Sequence, residues 1–256
     1  DKYAEYKNNV KIGQTKINTN GLFVYEIIKK ILFGATMDDE LYDLMWNNQK
    51  NILENCNSNV LVMADTSGSM TNYKAIPLAT SIGLALYTAE RNNGIFKNHF
   101  ITFSDNPCLC EIKGKSIKEK VKNIPCYIAN TDIDKAFELI LKTAKDNYIN
   151  KDEMPSHLLI ISDMEFDEGI YSQNGTNLEG WKKAFSSEGY KLPIVVFWNV
   201  AGKTFGVPTT KFDNDVAMIS GFSTNVLENV LTLEKYSPIQ AMLEKLSIYL
   251  DMVSNI

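Results

Sequence analysis

Asp65, Ser67 and Ser69 are spaced two residues apart at the end of an apolar run, in the stretch VLVMADTSGSM. A turn after a strand needs small polar residues, but it does not need a carboxylate and two hydroxyls at this spacing. Carboxylate and hydroxyl oxygens are hard ligands that suit magnesium, manganese or calcium better than zinc. Side chains two positions apart in an extended loop point the same way, so both serines can face one ion. Gly68 carries no side chain that could crowd that ion.

Two further residues with oxygen-bearing side chains, Thr131 and Asp163, are predicted to reach the same place. The strand-like run before Asp65 and the run HLLIIS before Asp163 both end in an acid, and Thr131 opens the helix that precedes the second run. In a doubly wound sheet, ligands bind outside the carboxyl ends of the parallel strands, and all these residues belong at that edge. A polar turn that caps a helix explains D-x-S-x-S alone. The convergence of Thr131 and Asp163 favours a metal site.

The elements that must position these residues alternate between strands and helices over residues 57–256. Continuous apolar runs predict buried strands at NVLVMA, HFITFS, HLLIISDM, PIVVFWNV and VAMIS. Helical spacing separates them, as in AIPLATSIGLALYTAER and TDIDKAFELILKTAK. The alternating CLCEI after the DNP turn predicts an antiparallel neighbour of the second strand. The predicted fold class is α/β: a doubly wound, mostly parallel, Rossmann-like sheet with one antiparallel edge strand.

Residues 1–56 show a different pattern and are predicted to form a helical N-terminal segment. Both LFVYEIIKKILF and DELYDLMWNNQKNILEN have helical spacing. Gly34 ends the first helix, and Asp38 or Asp39 caps the second. The second helix is predicted to turn one side inward, formed by Leu41, Leu44, Met45 and Ile52. Because the chain does not open with Met, we expect this segment to be the tail of a longer helical region.

Composition excludes some classes of function. The 256 residues carry a formal net charge of −5, which disfavours a surface built to bind nucleic acid backbone, although a local basic patch stays open. The four cysteines lack the spacing of a zinc site, and reduced thiols in an intracellular protein are the simpler interpretation. No apolar stretch approaches the roughly 20 residues needed to span a bilayer, so no membrane partner is expected.

Catalytic alternatives find less support, and no catalytic residue is assigned. Neither G-x-x-x-x-G-K-[ST] nor G-x-G-x-x-G occurs. A serine hydrolase needs a histidine beside its serine, but His99 and His157 both precede their strands, which places them at the opposite edge of the sheet. A metal-assisted hydrolase stays open, because Glu165 and Asp167 follow the acid in SDMEFDEG and could act as a base. Their simpler interpretation is that of solvated loop acids.

The set of Asp65, Ser67, Ser69, Thr131 and Asp163 resembles the metal-ion-dependent adhesion site of von Willebrand factor A domains. The resemblance extends from the first central strand to the end of the chain, including strand order and the antiparallel hairpin. It implies that the serines and the threonine bind the metal directly, while one aspartate often acts through water. The implied cofactor is magnesium, or alternatively manganese or calcium. The implied partner is an acidic protein, or one bearing phosphate, that completes the ion's coordination.

A narrower resemblance rests on DTSGSM, FITFSDNP, NTDI, ISDMEFD and VFWN after a helical lead-in. This combination is similar to an uncharacterised family of predicted intracellular proteins, and the arrangement is related to the Ro autoantigen (TROVE) RNA-binding proteins. It implies an alternative role as an RNA-associated scaffold, with RNA held mainly by a helical region that precedes this chain.

The leading prediction is therefore a divalent-metal-dependent binding module and not an enzyme, with a metal-dependent hydrolase and a Ro-like scaffold as alternatives. Candidate partner contacts at the same edge are Glu165, Asp167, Asn199 and Ser220. The last two follow strands and could instead cap the next elements. Cytoplasmic location is expected, and the sequence does not indicate an oligomeric state.

Overall fold

A computed structural model of the chain describes residues 2–19, 21–34, 38–54, 56, 58–104, 106–125, 133–164, 178–202, 216–224, 226–227, 231 and 246–247. The strands within these residues are β1 Val60–Ala64, β2 His99–Thr102, β3 Leu109–Glu111, β4 His157–Ser162, β5 Ile194–Asn199 and β6 Val216–Ser220. The helices are α1 Lys2–Lys11, α2 Val24–Leu32, α3 Asp39–Asn47, α4 Asn72–Arg91, α5 Ile117–Lys122, α6 Ile133–Asp146 and α7 Leu178–Ser187. Two short 3-10 turns cover Gly68–Thr71 and Lys151–Glu153.

The six strands form one sheet in the order β3-β2-β1-β4-β5-β6. Every neighbouring pair is parallel except β2 and β3, which pair antiparallel. The chain proceeds from β1 to one side of the sheet and then returns to place β4 on the other side. The strand order therefore reverses between β1 and β4, which is where doubly wound sheets bind their ligands. The predicted fold class is confirmed.

Helices cover both faces of the sheet, and β1 shows why its sequence is apolar throughout. Val60, Val62 and Ala64 pack into the cluster that contains α2, α3 and α4. Leu61 and Met63 point the other way, into the cluster that contains α6 and α7. Successive strand side chains face opposite sides, so a strand covered on both faces must be apolar at every position.

The N-terminal helix α2 lies directly against α4. Gly83 of α4 allows this approach, because a Cβ atom there would lie 3.2 Å from Ile28 Cγ1 and 3.3 Å from Val24 Cγ2. Both of these α2 residues are buried in the same cluster as the sheet. The helical N-terminal segment therefore shares a hydrophobic core with the sheet.

Helix α3 is joined to α4 by polar contacts around one indole. Trp46 Nε1 donates to Glu90 Oε2 at 2.7 Å, and the Arg91 guanidinium lies 5.5 Å from the centre of the Trp46 ring. Arg91 also donates to the backbone oxygen of Trp46 at 2.9 Å. The Trp46 indole and the Arg91 guanidinium are largely shielded from solvent, which strengthens these contacts. They therefore fix the position of α3 against α4 and also bury apolar surface.

Helix α3 ends earlier than its sequence pattern predicts. It stops at Asn47, because Asn48 turns back and its side-chain amide donates to the Leu44 carbonyl at 2.8 Å. The buried face also differs from the predicted one, since Leu41 and Met45 are only partly buried. The residues of α3 that are buried are Tyr42, Leu44 and Trp46.

The start of α4 contains a left-handed turn. Tyr73, Lys74 and Ala75 have φ of 53°, 59° and 53°, and regular right-handed helix begins after them. Pro77 therefore falls in the first right-handed turn, where its missing N–H costs nothing. Left-handed backbone is unfavourable for residues with a Cβ, so this turn stores strain directly after the polar loop.

No helix in the described part of the chain combines the length and the apolar character needed to cross a membrane.

Candidate metal centre

The two predicted aspartates lie side by side at the carboxyl edge of the sheet. Asp65 follows β1, and its backbone N–H donates to the Ile161 carbonyl of β4 at 3.0 Å. Asp163 follows the last residue of β4, Ser162. Asp65 is only 1% exposed and Asp163 only 2%. Two buried carboxylates therefore meet where the strand order reverses.

The hydrogen-bond partners of Asp65 hold its carboxylate without neutralising it. Its Oδ1 accepts from the Ser67 backbone N–H at 2.8 Å, and its Oδ2 accepts from Ser162 Oγ at 2.7 Å. Burial raises the pKa of Asp65 above its usual value, the hydrogen bonds from Ser67 and Ser162 oppose that rise, and the charge of Asp163 adds to it. A cation at this position would favour the ionised carboxylate.

The two hydroxyls of the D-x-S-x-S motif come together. Ser67 Oγ and Ser69 Oγ are 3.1 Å apart. The spacing of the motif predicts an extended loop, but the structure has a 3-10 turn that begins at Gly68 and contains Ser69. A Cβ atom at Gly68 would meet no heavy atom within 4 Å. The protein around this position therefore does not require glycine, and any crowding would come from a bound species.

The donor set fits a small divalent ion. Neighbouring oxygens of an octahedral magnesium ion with bonds of about 2.0–2.1 Å lie about 2.9 Å apart, close to the separation of the two serine hydroxyls. Within the described residues, no group of three or more histidine, cysteine, aspartate or glutamate side chains is placed to hold a metal. An ion held by Asp65 and Asp163 could take further ligands from the hydroxyl groups of Ser67 and Ser69. Such a set suits magnesium, manganese or calcium and not zinc.

Ser162 is also part of this site, although the D-x-S-x-S motif does not include it. Its side chain is fully buried, donates to Asp65 Oδ2 and accepts from the Met164 backbone N–H at 3.0 Å. Met164 itself has a left-handed backbone with φ of 63°. Ser162 thus ties the end of β4 to the carboxylate at the end of β1. The sequence signal is a hydroxyl residue as the last member of an apolar strand, directly before an acid.

Three predicted residues, Thr131, Glu165 and Asp167, lie outside the described residues. Thr131 as a metal ligand stays a prediction. The same holds for the two acids as partner contacts or as a catalytic base.

The remaining predicted contacts, Asn199 and Ser220, lie at the carboxyl edge as well. They end β5 and β6 and are register partners, with Asn199 also paired with Ser162. The Asn199 side-chain oxygen accepts from the backbone N–H groups of Ala201 and Gly202, both at 3.0 Å. It therefore caps the turn after β5, whereas the Ser220 side chain is exposed.

Both histidines of the chain lie at the opposite edge of the sheet, as predicted. His157 is paired with Val60, the first residue of β1, and His99 begins β2. Burial, with a contribution from the charge of Lys191, lowers the pKa of His157 to about 4. Neither imidazole can therefore activate the serines beside Asp65.

Comparison with known proteins supplies the family. A family model described as a domain of unknown function, DUF7788, matches residues 59–247. The chain belongs to the DUF7788 family. This DUF7788 chain is 29% identical over 253 residues to uncharacterized protein L728 of Acanthamoeba polyphaga mimivirus. The match covers 96% of the chain but only 43% of the viral protein, so the chain spans less than half the length of this relative.

A solved structure is similar to the DUF7788 chain in fold. The crystal structure of the Deinococcus radiodurans RO (RSR) protein superposes with a TM-score of 0.51 at 13% sequence identity. The likeness covers 76% of the chain and 36% of the RO protein. At this identity the comparison shows a shared fold.

Proposed function

We propose that this DUF7788 chain is a divalent-metal-dependent binding module of the von Willebrand factor A type, which captures an acidic group of a protein partner. The observation that carries the proposal is the pair of serine hydroxyls 3.1 Å apart, next to a buried aspartate whose hydrogen-bond partners are neutral. If the two hydroxyls only stabilised a turn, there would be no reason to bury two carboxylates beside them, because burying a charge is costly.

The proposed ligands are Asp65, Ser67, Ser69 and Thr131, with Asp163 bound directly or through water. Magnesium is the proposed ion, with manganese and calcium as alternatives. Because hydroxyl ligands carry no charge, the bound ion would supply an incompletely neutralised positive centre. Four or five protein oxygens leave one or two of about six octahedral positions to water. A carboxylate or phosphate of the partner would replace one of these waters.

Calorimetric titration of manganese into chelator-treated protein tests the site. We expect one saturable site in the natural protein and at least about tenfold weaker binding in Ser67→Ala and in Ser69→Ala, since each loses a proposed ligand. Ser187→Ala is the matched control, because this exposed serine donates to the Ala184 carbonyl on α7, far along the chain from the motif. Unchanged manganese affinity in both motif variants would refute the metal site.

Peptide display tests the partner's chemistry. Peptides selected in magnesium and released by chelator should share one aspartate, glutamate or phosphorylated residue, and replacing it with its amide or unmodified form should abolish binding. Selected peptides without a common acidic group would contradict the proposal. Incubating the manganese-loaded protein with phosphoester and peptide substrates separates binding from hydrolysis, and we expect no turnover.

RNA association is a second candidate function. The shared fold with the RO protein supports it, and so does a local basic patch. Residues 113–122 include five lysines and one glutamate, and Lys113, Lys115 and Lys122 are exposed. Such a patch can contact phosphates even in an acidic protein. Fluorescence anisotropy with a labelled single-stranded RNA, compared between the natural protein and a triple Lys→Ala variant at these positions, tests this function.

A further inference from the structure

A cavity opens at the edge of the sheet opposite the aspartates. Its volume is about 370 Å³, within the roughly 300–1,000 Å³ typical of small-molecule sites. Phe96, Leu109 and Ile149 form apolar walls. Ile95 and Tyr148 also line it and expose 42% and 93% of their surface to solvent. Apolar side chains thus continue from the walls of the cavity to the protein surface.

Three polar groups of this cavity can accept hydrogen bonds, and the hydroxyl-bearing residues Thr143 and Tyr148 also line it. His99 Nδ1 lies 2.8 Å from the Lys97 carbonyl, which can only accept, so in the neutral ring Nδ1 carries the proton and Nε2 keeps a lone pair. The Asn147 amide nitrogen donates to the Thr143 carbonyl at 2.9 Å, which leaves the amide oxygen as an acceptor. Glu153 contributes a carboxylate, and no basic side chain within the described ranges is paired with it.

Two features near this cavity carry negative charge. Glu111 is the register partner of His99 in the antiparallel pair of β2 and β3, so it lies on the same face of the sheet as His99 and Leu109. Helix α6 ends at Asp146, beside the cavity residue Asn147, and the carboxyl end of a helix carries partial negative charge. The basic residue Lys97 also lies nearby, and its backbone carbonyl is the group that contacts His99 Nδ1.

We propose that this cavity binds a cationic group carried on an apolar stem, such as an aromatic amine or the side chain of a lysine or arginine. Apolar walls would hold the stem. The Glu153 carboxylate and the two neutral acceptors would receive the N–H donors of the cation. The site is separate from the aspartate edge and does not depend on a metal.

Three small probes of similar shape but different charge, titrated into the 15N-labelled protein and followed by nuclear magnetic resonance, test the site. Phenethylamine is cationic, 2-phenylethanol is neutral and phenylacetate is anionic. Phenethylamine should shift the amide signals of residues 147–149 and 95–99 and saturate at millimolar concentration. The neutral and anionic probes should bind at least about threefold more weakly, as expected for loss of one partly exposed charge contact.

Two variants and one control variant assign the binding to the cavity. Glu153→Gln should weaken phenethylamine about three- to fivefold. Asp152→Asn, which makes the same charge change at the neighbouring exposed residue, should leave it unchanged. Tyr148→Gly should weaken all three aromatic probes and leave the fold intact, because the backbone at Tyr148 has φ of 52°, which glycine tolerates better.

N-acetyl-arginine amide and N-acetyl-lysine amide, as further probes, distinguish a protein side chain from a small amine as the ligand. Tighter binding of either amide than of phenethylamine would assign the cavity to a basic side chain of a partner, and the reverse would assign it to a small amine. The proposal is overturned if no cationic probe shifts these signals, or if phenylacetate binds as tightly as phenethylamine.

Discussion

The substitution Asp65→Asn should change the stability of the protein in opposite directions with and without metal. Without metal, the ionised carboxylate is buried beside Asp163, and the raised pKa of Asp65 means that the folded state disfavours its charge. Asparagine keeps an acceptor for the Ser67 N–H, and its amide can donate to Ser162 Oγ. The variant should therefore be at least as stable as the natural protein in chelator at neutral pH.

With metal, the order should reverse. A ligand at about one hundred times its dissociation constant stabilises the native state by about 2.7 kcal/mol. The variant should lose this increment because asparagine lacks the negative charge with which the Asp65 carboxylate attracts the ion. A 256-residue chain unfolds with an entropy of about 0.5 kcal/mol per kelvin, taking about 2.1 cal/mol per kelvin for each residue. The natural protein should therefore gain about 5 °C in melting temperature, and Asp65→Asn should gain none.

Differential scanning calorimetry in chelator and in excess magnesium measures both effects. The pH dependence of the free energy of unfolding is a second test of the same reasoning. A raised pKa gives stability that is present at acidic pH and is lost as pH rises through the folded-state value, so in chelator the natural protein should lose stability relative to Asp65→Asn over that range. If Asp65→Asn is clearly less stable in chelator and still gains stability from magnesium, the reasoning is wrong.

Four further outcomes are expected, each measurable by urea unfolding. Ser162→Ala should cost about 1–3 kcal/mol and weaken the magnesium increment, because it removes a donor to Asp65 and leaves a buried N–H without its acceptor; equal stability would contradict the role given to this serine. Gly83→Leu should cost about 1–3 kcal/mol by overpacking the contact of α2 with α4, whereas an unchanged midpoint would show that α2 is not held there. Lys74→Gly should stabilise by up to about 1 kcal/mol, because the backbone at Lys74 is left-handed with φ of 59°; a loss of stability would show that the turn is not strained. Unfolding should become about 3 kcal/mol easier between pH 6.5 and 4 because buried His157, with its pKa lowered to about 4, must take up a proton, and His157→Gln should lack this part of the slope.

The sheet could be predicted because its strands have an unambiguous pattern. All residues of β1 and β4 are buried, and continuous apolar runs bounded by polar turns have few other interpretations. Helix α5 was missed because six residues with one turn of apolar spacing carry little periodic signal. The left-handed turn at Tyr73–Ala75 could not be predicted, since none of these residue types favours positive φ.

The site was predictable where it depends on sequence neighbours and unpredictable where it depends on register. Asp65, Ser67 and Ser69 lie within one loop, so their spacing is visible in the sequence. The contact of Ser162 with Asp65 follows from the alignment of β1 with β4, which a one-residue shift would remove. The cavity at the other edge draws its walls from segments far apart in the chain, and no local pattern marks it.

Two buried tryptophans can report separately, by fluorescence, on the N-terminal helices and on the sheet. Trp46 lies in α3 and Trp198 in β5, and both are almost completely buried. Unfolding of the N-terminal helices would expose the first indole, while loss of the sheet would expose the second. Fluorescence of Trp46→Phe and Trp198→Phe variants, both made in a Trp181→Phe background, therefore compares the two transitions within one chain. Coincident midpoints are the signature of a single cooperative unit, which is what the shared core of α2, α3 and the sheet should produce.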